Sequence, residues 1–184
     1  MKKTLIIIAV VAIVLAGWAW FGYNGFISSR ESLNENWAQV ETQYQRRADL
    51  IPNLVNTVKG AAEFEQTTFR EVTEARTQWM NAQGRGEQIA AAEGMDGALG
   101  RLLVTLENYP QLQATQAYRD LMAQLEGTEN RIATARRDYN SIVRSYNVKV
   151  KRFPGLVLAG LFGFAEESFF EAQEGAEEAP AVEF

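Results

Sequence analysis

Glu126 and Glu129 are the side chains of this chain whose type and spacing come closest to a catalytic or metal-binding pattern. On an α-helix, residues three apart share a face, and paired carboxylates of this kind bind the two metals of some helical bundles. Those sites also use a histidine three residues after a glutamate, and this chain has no histidine and no cysteine. The composition therefore excludes imidazole and thiolate ligands, Cys or His catalysis, and disulfides. We expect no enzymatic activity, no metal and no other cofactor.

The sequence favours a structural role for these carboxylates, in ion pairs that stabilise packed helices. Charged residues cluster at two places that are suited to such a network. The candidate members are Arg46, Arg47, Asp49, Glu126, Glu129 and Arg131. Asn130, Asn140 and Asn147 follow nearby, and we expect them to fix helix ends, helix register or side-chain amide bonds.

The elements that must position these residues are helices. Good helix formers dominate between the four prolines, and no alternation typical of strands competes with them. The clearest apolar stripe is nearly a heptad repeat, as in a long bundle or coiled-coil helix. It comprises Leu121, Leu125, Thr128, Ile132, Ala135, Tyr139, Ile142, Tyr146 and Val150. Three further stripes run over 37–58, 64–79 and 92–109, and the first of them ends with Ile51, Val55 and Val58.

Turn signals separate these stripes at Gly84-Arg85-Gly86 and at Tyr109-Pro110. At 49–52 two interpretations stay open, because Asp49 could cap a new helix that contains Pro52 in its first turn, or one long helix could kink there. We predict an all-α fold in which an N-terminal transmembrane helix continues into an antiparallel, up-and-down four-helix bundle over residues 24–152.

Residues 5–23 form an uncharged segment that is long enough to cross a bilayer. At about 1.5 Å per residue this helix would span roughly 28 Å, close to the hydrocarbon thickness. Trp18, Trp20 and Tyr23 stand at one end, where aromatic rings prefer the headgroup level, and the short basic N-terminus of residues 1–4 precedes the other. A cleaved signal peptide is the alternative, but its apolar region is shorter and lacks bulky residues at the cleavage site. We expect a retained single-pass anchor with a cytoplasmic N-terminus and an external, periplasmic body.

The C-terminal third combines a basic segment with an acidic one. Residues 131–152 hold seven Lys and Arg against one Asp, whereas 153–184 hold seven Glu and no cation. The tyrosines within the basic segment fall on the apolar stripe, so they are expected in the core and we expect no nucleic-acid binding. Residues 171–184 are expected to form a flexible acidic tail.

Residues 153–170 form an apolar C-terminal segment, and its uncharged part, residues 153–164, is too short to span a bilayer. Residues 153–164 could close the end of the bundle or lie at the membrane interface. If the bundle is up-and-down, the end of its fourth helix returns to the membrane, and cations there would meet lipid headgroups. The candidate membrane contacts are Trp18, Trp20, Tyr23, Arg144, Lys149, Lys151, Arg152, Phe153, Leu156, Phe162 and Phe164.

Five segments of the chain, taken together, resemble the LemA family. They are QRRADLIPNLVNTVKG at 45–60, VTEAR at 72–76, ALGRLLVTLENYPQL at 98–112, LEGTENRIATARRDYN at 125–140 and RFPGLVLAGLFGF at 152–164. The resemblance implies a single-pass bacterial membrane protein with a four-helix body and no established enzymatic activity. The chain departs from the family pattern at 61–64, where Ala-Ala-Glu-Phe replaces an aromatic-and-histidine stretch. A function that rests on that histidine is not expected here.

These observations predict a membrane-anchored structural or scaffolding protein of the bacterial inner membrane. Its expected partners are the lipid bilayer and further copies of itself, since anchoring in two dimensions raises the effective concentration of weakly sticky bodies. The alternative is an adaptor or accessory subunit of a membrane protease or transporter complex, with an unknown membrane-protein partner.

Overall fold

The computed structural model describes residues 2–59 and 66–170, and these residues form six helices and no strand. The helices are α1 (Lys2–Lys59), α2 (Gln66–Asn81), α3 (Arg85–Leu106), α4 (Pro110–Gln113), α5 (Gln116–Lys151) and α6 (Gly155–Phe162). The predicted all-α class and long apolar N-terminal helix are confirmed. The start of the stripe at Phe64 and the acidic tail at 171–184 lie outside the described residues.

α1 is a single helix of 58 residues, and it continues through Pro52 without a break. Of the two interpretations of 49–52, a new helix capped by Asp49 is therefore wrong, and one long helix passes through the site. The first part of α1 has a mean hydropathy of 2.5 over its most apolar window, and none of that window is buried within the protein. From Phe26 onward the same helix buries one face, so the expected boundary at 23–24 falls inside a continuous helix.

α5 packs along the body half of α1 in the opposite direction. The rings of Phe26 and Tyr146 lie 6.4 Å apart, and those of Trp37 and Tyr139 lie 5.2 Å apart. Residue numbers thus rise along α1 as they fall along α5. This pair forms the largest helix–helix contact among the described residues.

α2 and α3 form a hairpin that also packs against α1. α2 runs antiparallel to α1, with Arg76 Nε donating to the Ala48 carbonyl at 2.9 Å and Trp79 packing on Tyr44. The chain reverses at residues 82–84, so the turn lies two residues before the predicted Gly84-Arg85-Gly86, whose last two residues already belong to α3. α3 then runs parallel to α1, as the 2.8 Å hydrogen bond from Gln88 to Glu41 and the contact of Asp96 with Tyr44 show.

The buried residues of these helices form one core, and most of them fall on the predicted stripes. Two positions differ by one residue. Val143 is fully buried where Ile142 was expected, and Leu54 is fully buried where Val55 was expected. An α-helix drifts against a strict heptad, so a stripe of 3- and 4-residue steps must shift phase along a long helix.

The chain after α5 turns back along the body. The Phe153–Pro154 peptide is cis, and α6 ends at Gly163, whose φ of 72° is the left-handed conformation that glycine adopts readily. Phe164 N–H caps α6 by donating to the Ala159 carbonyl at 2.9 Å. Residues 164–170, which we call the strap, then run without helical structure between α1 and α5 and bury Phe164 and Phe170.

Candidate functional site

A cluster of charged side chains lies in the centre of the body, where α1, α3 and α5 meet. This polar cluster comprises Tyr44, Arg47, Asp96, Glu129 and Arg136. The Asp96 carboxylate accepts a hydrogen bond of 2.9 Å from the Tyr44 hydroxyl and forms ion pairs with both arginines. Arg47, which is only 3% exposed, bridges Asp96 to Glu129.

Burial dominates the electrostatics of this cluster. It raises the pKa of the Tyr44 hydroxyl far above its ordinary value, and the charge of Asp96 raises that pKa further. Burial also raises the pKa of the Asp96 carboxyl. The guanidinium groups of Arg136 and Arg47 partly offset this, because their positive charges lower the same pKa. Two guanidinium groups face two carboxylates, so each charge of the cluster has a partner of opposite sign.

The arginines also pack on aromatic rings. The Arg136 guanidinium lies 5.3 Å from the centre of the Tyr44 ring and 4.8 Å from that of Phe170. Its Nε is one of two buried side-chain nitrogen or oxygen atoms in the described part of the chain that lack a hydrogen-bond partner. Arg136 is therefore held by ion pairing and cation–π contact at its tip. This arrangement joins three helices and the strap, and it presents no unpaired nucleophile.

The structure brings together two members of the polar network predicted from sequence, Arg47 and Glu129. Arg46, Asp49 and Arg131 are exposed on the surface outside the cluster. Glu126 is exposed at its edge, in the wall of an adjoining groove. Tyr44, Asp96 and Arg136 complete the cluster, and none of them was predicted from the sequence as a member of the network.

A groove of about 420 Å³ opens between α3 and α5 beside the polar cluster. Its walls are mostly apolar, and Arg47, Asp96 and Glu129 line its polar part. The apolar lining residues are Leu99, Gly100, Leu103, Met122 and Leu125. Among the residues that the structure describes, no three Asp or Glu side chains converge closely enough to hold a metal ion.

The strap is fixed to α5 by two asparagines, each of which pairs with one backbone unit. Asn147 donates to the Glu167 carbonyl at 2.8 Å and accepts from the Glu167 N–H at 2.9 Å. Asn140 makes the same pair of bonds with Phe170, at 2.8 and 3.0 Å. Asn140 and Asn147 therefore form side-chain amide bonds, one of the roles predicted for them from the sequence. Asn130 makes no such bond among the described residues.

Phe170 is the anchor of the strap in the core. Its ring stacks on those of Trp37 at 5.8 Å and Tyr44 at 6.2 Å and meets the edge of Tyr139 at 5.9 Å. Tyr139 also donates to the Ser168 carbonyl at 3.1 Å. The C-terminal segment is therefore part of the core, and it reaches as far as the polar cluster.

The membrane-contact candidates fall into two groups in the structure. Trp18, Trp20, Tyr23, Phe153, Leu156 and Phe162 are exposed on α1 and on or beside α6. Phe164 is instead buried, where it stacks on Phe26 at 4.7 Å and packs against Tyr23 at 5.9 Å.

The four cations of that set also differ from one another. Lys149 is half-buried, with its ammonium 4.9 Å from the Phe26 ring centre and 3.1 Å from Ser29 Oγ, and burial lowers the pKa of this lysine. Lys151 pairs with Glu166 at 2.7 Å. Arg144 and Arg152 are exposed.

The sequence profile of the LemA family matches residues 36–184, which include the polar cluster and the strap. The chain belongs to the LemA family. The resemblance noted from its motifs is thus confirmed, over a region that starts after the apolar N-terminal segment.

Among named members of the family, two MamQ magnetosome proteins of Paramagnetospirillum magneticum are each 31% identical to this chain over 176 residues. Each alignment covers 81% of this chain and 64% of the relative. Protein LemA of Metamycoplasma hominis is 22% identical over 152 residues, which are 82% of this chain and 69% of that protein. The chain thus spans less than two thirds of the length of the MamQ proteins. The relatives and the apolar helix together indicate a membrane-associated helical protein.

Proposed function

We propose that this chain is a scaffolding protein of the bacterial inner membrane, whose body is held at the bilayer by a retained anchor and assembles with further copies. The observation that carries the proposal is the continuity of α1, because one unbroken helix contains both the apolar segment 5–23 and the core of the body. A continuous helix fixes the body against its anchor, which suits presentation of a surface more than a freely swinging domain.

The body in this proposal is an up-and-down bundle of α1, α2, α3 and α5. Its support is the direction of each helix: α1 and α3 run one way, and α2 and α5 run the other. The short α4 connects α3 to α5 at the end far from the anchor. The end of α5 therefore returns to the anchored end, where α6 follows.

The polar cluster supports a structural role in place of a catalytic one. Each buried charge in it has a partner of opposite sign, and the two carboxylates are already engaged by arginine. A general acid, base or nucleophile needs a group that is free to exchange a proton with, or attack, a substrate. This supports the assignment of the chain as a non-enzymatic protein.

Orientation follows from the charges that flank the anchor. Lys2 and Lys3 precede it, whereas Arg30 is followed by Glu31 and Glu35, so the positive-inside rule puts the N-terminus in the cytoplasm. The cations at the end of α5 are remote from the span in sequence, and the rule weights residues close to it. Protease added to spheroplasts should digest the body, and a body protected until lysis would reverse the orientation.

Mass determination of the full chain, extracted from its native membrane with the surrounding lipids, tests the scaffold. We expect a homo-oligomer whose size falls when the reconstituted protein is diluted with lipid, because assembly depends on effective concentration in two dimensions. A monomer at every protein-to-lipid ratio would contradict self-association. Loss of the first 19 or so residues from the intact mass would contradict the retained anchor.

The groove between α3 and α5 is the feature that favours the adaptor alternative. Apolar walls beside Glu126 and Glu129 suit an apolar segment with a cationic side chain, such as a partner helix would offer. A heteromer of fixed stoichiometry in the same extraction would support this function over the scaffold.

A further inference from the structure

α6 is a short helix with two apolar faces. One face packs on the body through Leu158 and Ala159, each 2% exposed. The other face of the helix and Phe153, two residues before its start, point away from the protein. Their exposed fractions are 77% for Phe153, 55% for Leu156, 52% for Val157 and 70% for Leu161. Capping the body therefore uses only half of this helix, and the outer half is an apolar surface without a protein partner among the described residues.

This surface lies directly beside the end of the apolar segment of α1. The Leu158 side chain packs so closely on Gly22 that a Cβ there would lie 2.2 Å from Leu158 Cδ1. The Phe162 and Tyr23 rings are 5.0 Å apart. If residues 5–23 span the bilayer, α6 sits at the level of its interface. The apolar outer face is thus continuous with the apolar surface of the anchor.

Cations border the same surface. Arg152 is exposed, and within the described part of the chain its guanidinium makes no ion pair. A groove of about 550 Å³ between α1, α5 and α6 brings Arg152 and Lys149 together with apolar and aromatic walls. Trp18, Val148 and Phe153 belong to those walls. Cationic groups beside apolar walls match a lipid phosphate with its acyl chain alongside.

We propose that α6 and the end of α5 form a second contact with the bilayer, in which the outer face of α6 enters one leaflet beside the anchor and Arg152 binds the phosphate of an anionic phospholipid. The inference rests on the proposed anchoring of α1. With two contacts the body cannot rotate freely about α1, and a fixed face of it is presented away from the membrane.

Single cysteines test this proposal in the full chain, because the sequence has no cysteine of its own. Leu161→Cys reports on α6, and Leu15→Cys reports on the anchor. Val104→Cys is the matched control, since this apolar residue is 64% exposed on α3, near the end of that helix far from the anchor. Each variant is labelled at its cysteine with one environment-sensitive fluorophore and reconstituted into phosphatidylcholine nanodiscs, either with or without phosphatidylglycerol. All nanodiscs contain brominated lipid, which quenches a fluorophore that lies in the bilayer.

We expect quenching of the Leu161 label to resemble that of the Leu15 label, and the Val104 label to stay unquenched. Phosphatidylglycerol should increase quenching at Leu161, and Arg152→Gln should remove that increase, whereas Arg119→Gln at the far end of α5 should leave it unchanged. A Leu161 label quenched no more than Val104, with Leu15 quenched, would overturn the second contact and leave the anchor intact.

Three further outcomes have distinct meanings. If the Leu15 label is unquenched, the anchor itself is wrong, and the proposed function fails with it. If the Leu161 label is shielded both from brominated lipid and from aqueous iodide, a protein surface covers α6, which overturns the lipid contact. Equal quenching with and without phosphatidylglycerol would overturn the role of Arg152.

Discussion

Asn147→Ala should destabilise the body although it leaves every helix contact in place. The Asn147 side chain makes two hydrogen bonds with the Glu167 backbone, at 2.8 and 2.9 Å, and it is only 6% exposed. Each such bond contributes a net stabilisation of about 0.5–1.5 kcal/mol, so we expect a loss of about 1–3 kcal/mol in the free energy of unfolding. The buried N–H and C=O left without partners bring the effect toward the upper part of that range.

Asn140 holds the same strap seven residues away, so the two substitutions should not be independent. Once Asn147→Ala has loosened the strap, Asn140→Ala removes bonds that are already partly broken. We therefore expect the double variant to lose less stability than the sum of the two single losses, as residues that act through one segment do.

Denaturant unfolding of the full chain in lipid nanodiscs gives these free energies, and amide hydrogen exchange at Glu167 shows whether the strap itself is released. Asn130→Ala is the matched control, since it removes the same residue type from an exposed position on the same helix and should change stability by less than about 0.5 kcal/mol. Equal losses for Asn147→Ala and Asn130→Ala, or unchanged exchange at Glu167, would refute the role assigned to the asparagines.

Three further predictions follow from the core and the polar cluster. Ile132→Ala, at a site 1% exposed, should cost about 2–5 kcal/mol in thermal or denaturant unfolding, whereas exposed Gln124→Ala should cost less than about 0.5 kcal/mol. Burial raises the pKa of Tyr139 from 10.0 to about 12, so the neutral hydroxyl is favoured in the folded state. The contribution of this hydroxyl to the free energy of unfolding should be complete below pH 10 and be lost as the pH rises to about 12. A Tyr139→Phe variant that loses the same stability over this pH range as the unmodified chain would contradict the role of Tyr139. Elemental analysis of the purified protein should find no stoichiometric iron, manganese or zinc, and a metal lost on Glu129→Gln would revive a catalytic role.

The helices could be predicted because their signal is local and repeated. An apolar residue every three or four positions marks the buried face whatever the partner helix is, and this located most of the core from Trp37 to Val150. The errors at Ile142 and Val55 are phase errors of one residue. Each apolar neighbour fits the pattern almost equally well, and only the partner helix decides which one is buried.

The polar cluster could not be assembled from the sequence, because its members come from three helices. Arg47 and Glu129 were found through nearby charges, but Arg46 and Asp49 are equally close in sequence and point away. Asp96 carries a usable signal, since it is a charge that directly follows the buried Met95 on an otherwise apolar face. A charge in such a place predicts a buried partner of opposite sign without naming it.

The strap was harder to predict, because its partners are backbone groups. Residues 164–170 have no helical period, and an apolar segment after a helix fits a cap, a membrane contact or a tail equally well. The informative residues were the asparagines, which are seven residues apart and so lie on one face of α5. A side-chain amide can satisfy one N–H and one C=O at once, so two of them on a helix face can hold an extended segment.

The strap also decides which experiments can separate the membrane contact from the fold. Truncation after residue 152 would remove α6, but it would also remove Phe170 from between Trp37 and Tyr44 and take the backbone partners from Asn140 and Asn147. If that variant lost membrane binding, the cause could be an unfolded core or a lost lipid contact, and the experiment would not distinguish the two. The outer face of α6 takes no part in the core, since Leu161 is 70% exposed while Leu158 is 2% exposed. Point substitutions on that face therefore change what α6 offers to the bilayer and leave the strap docked.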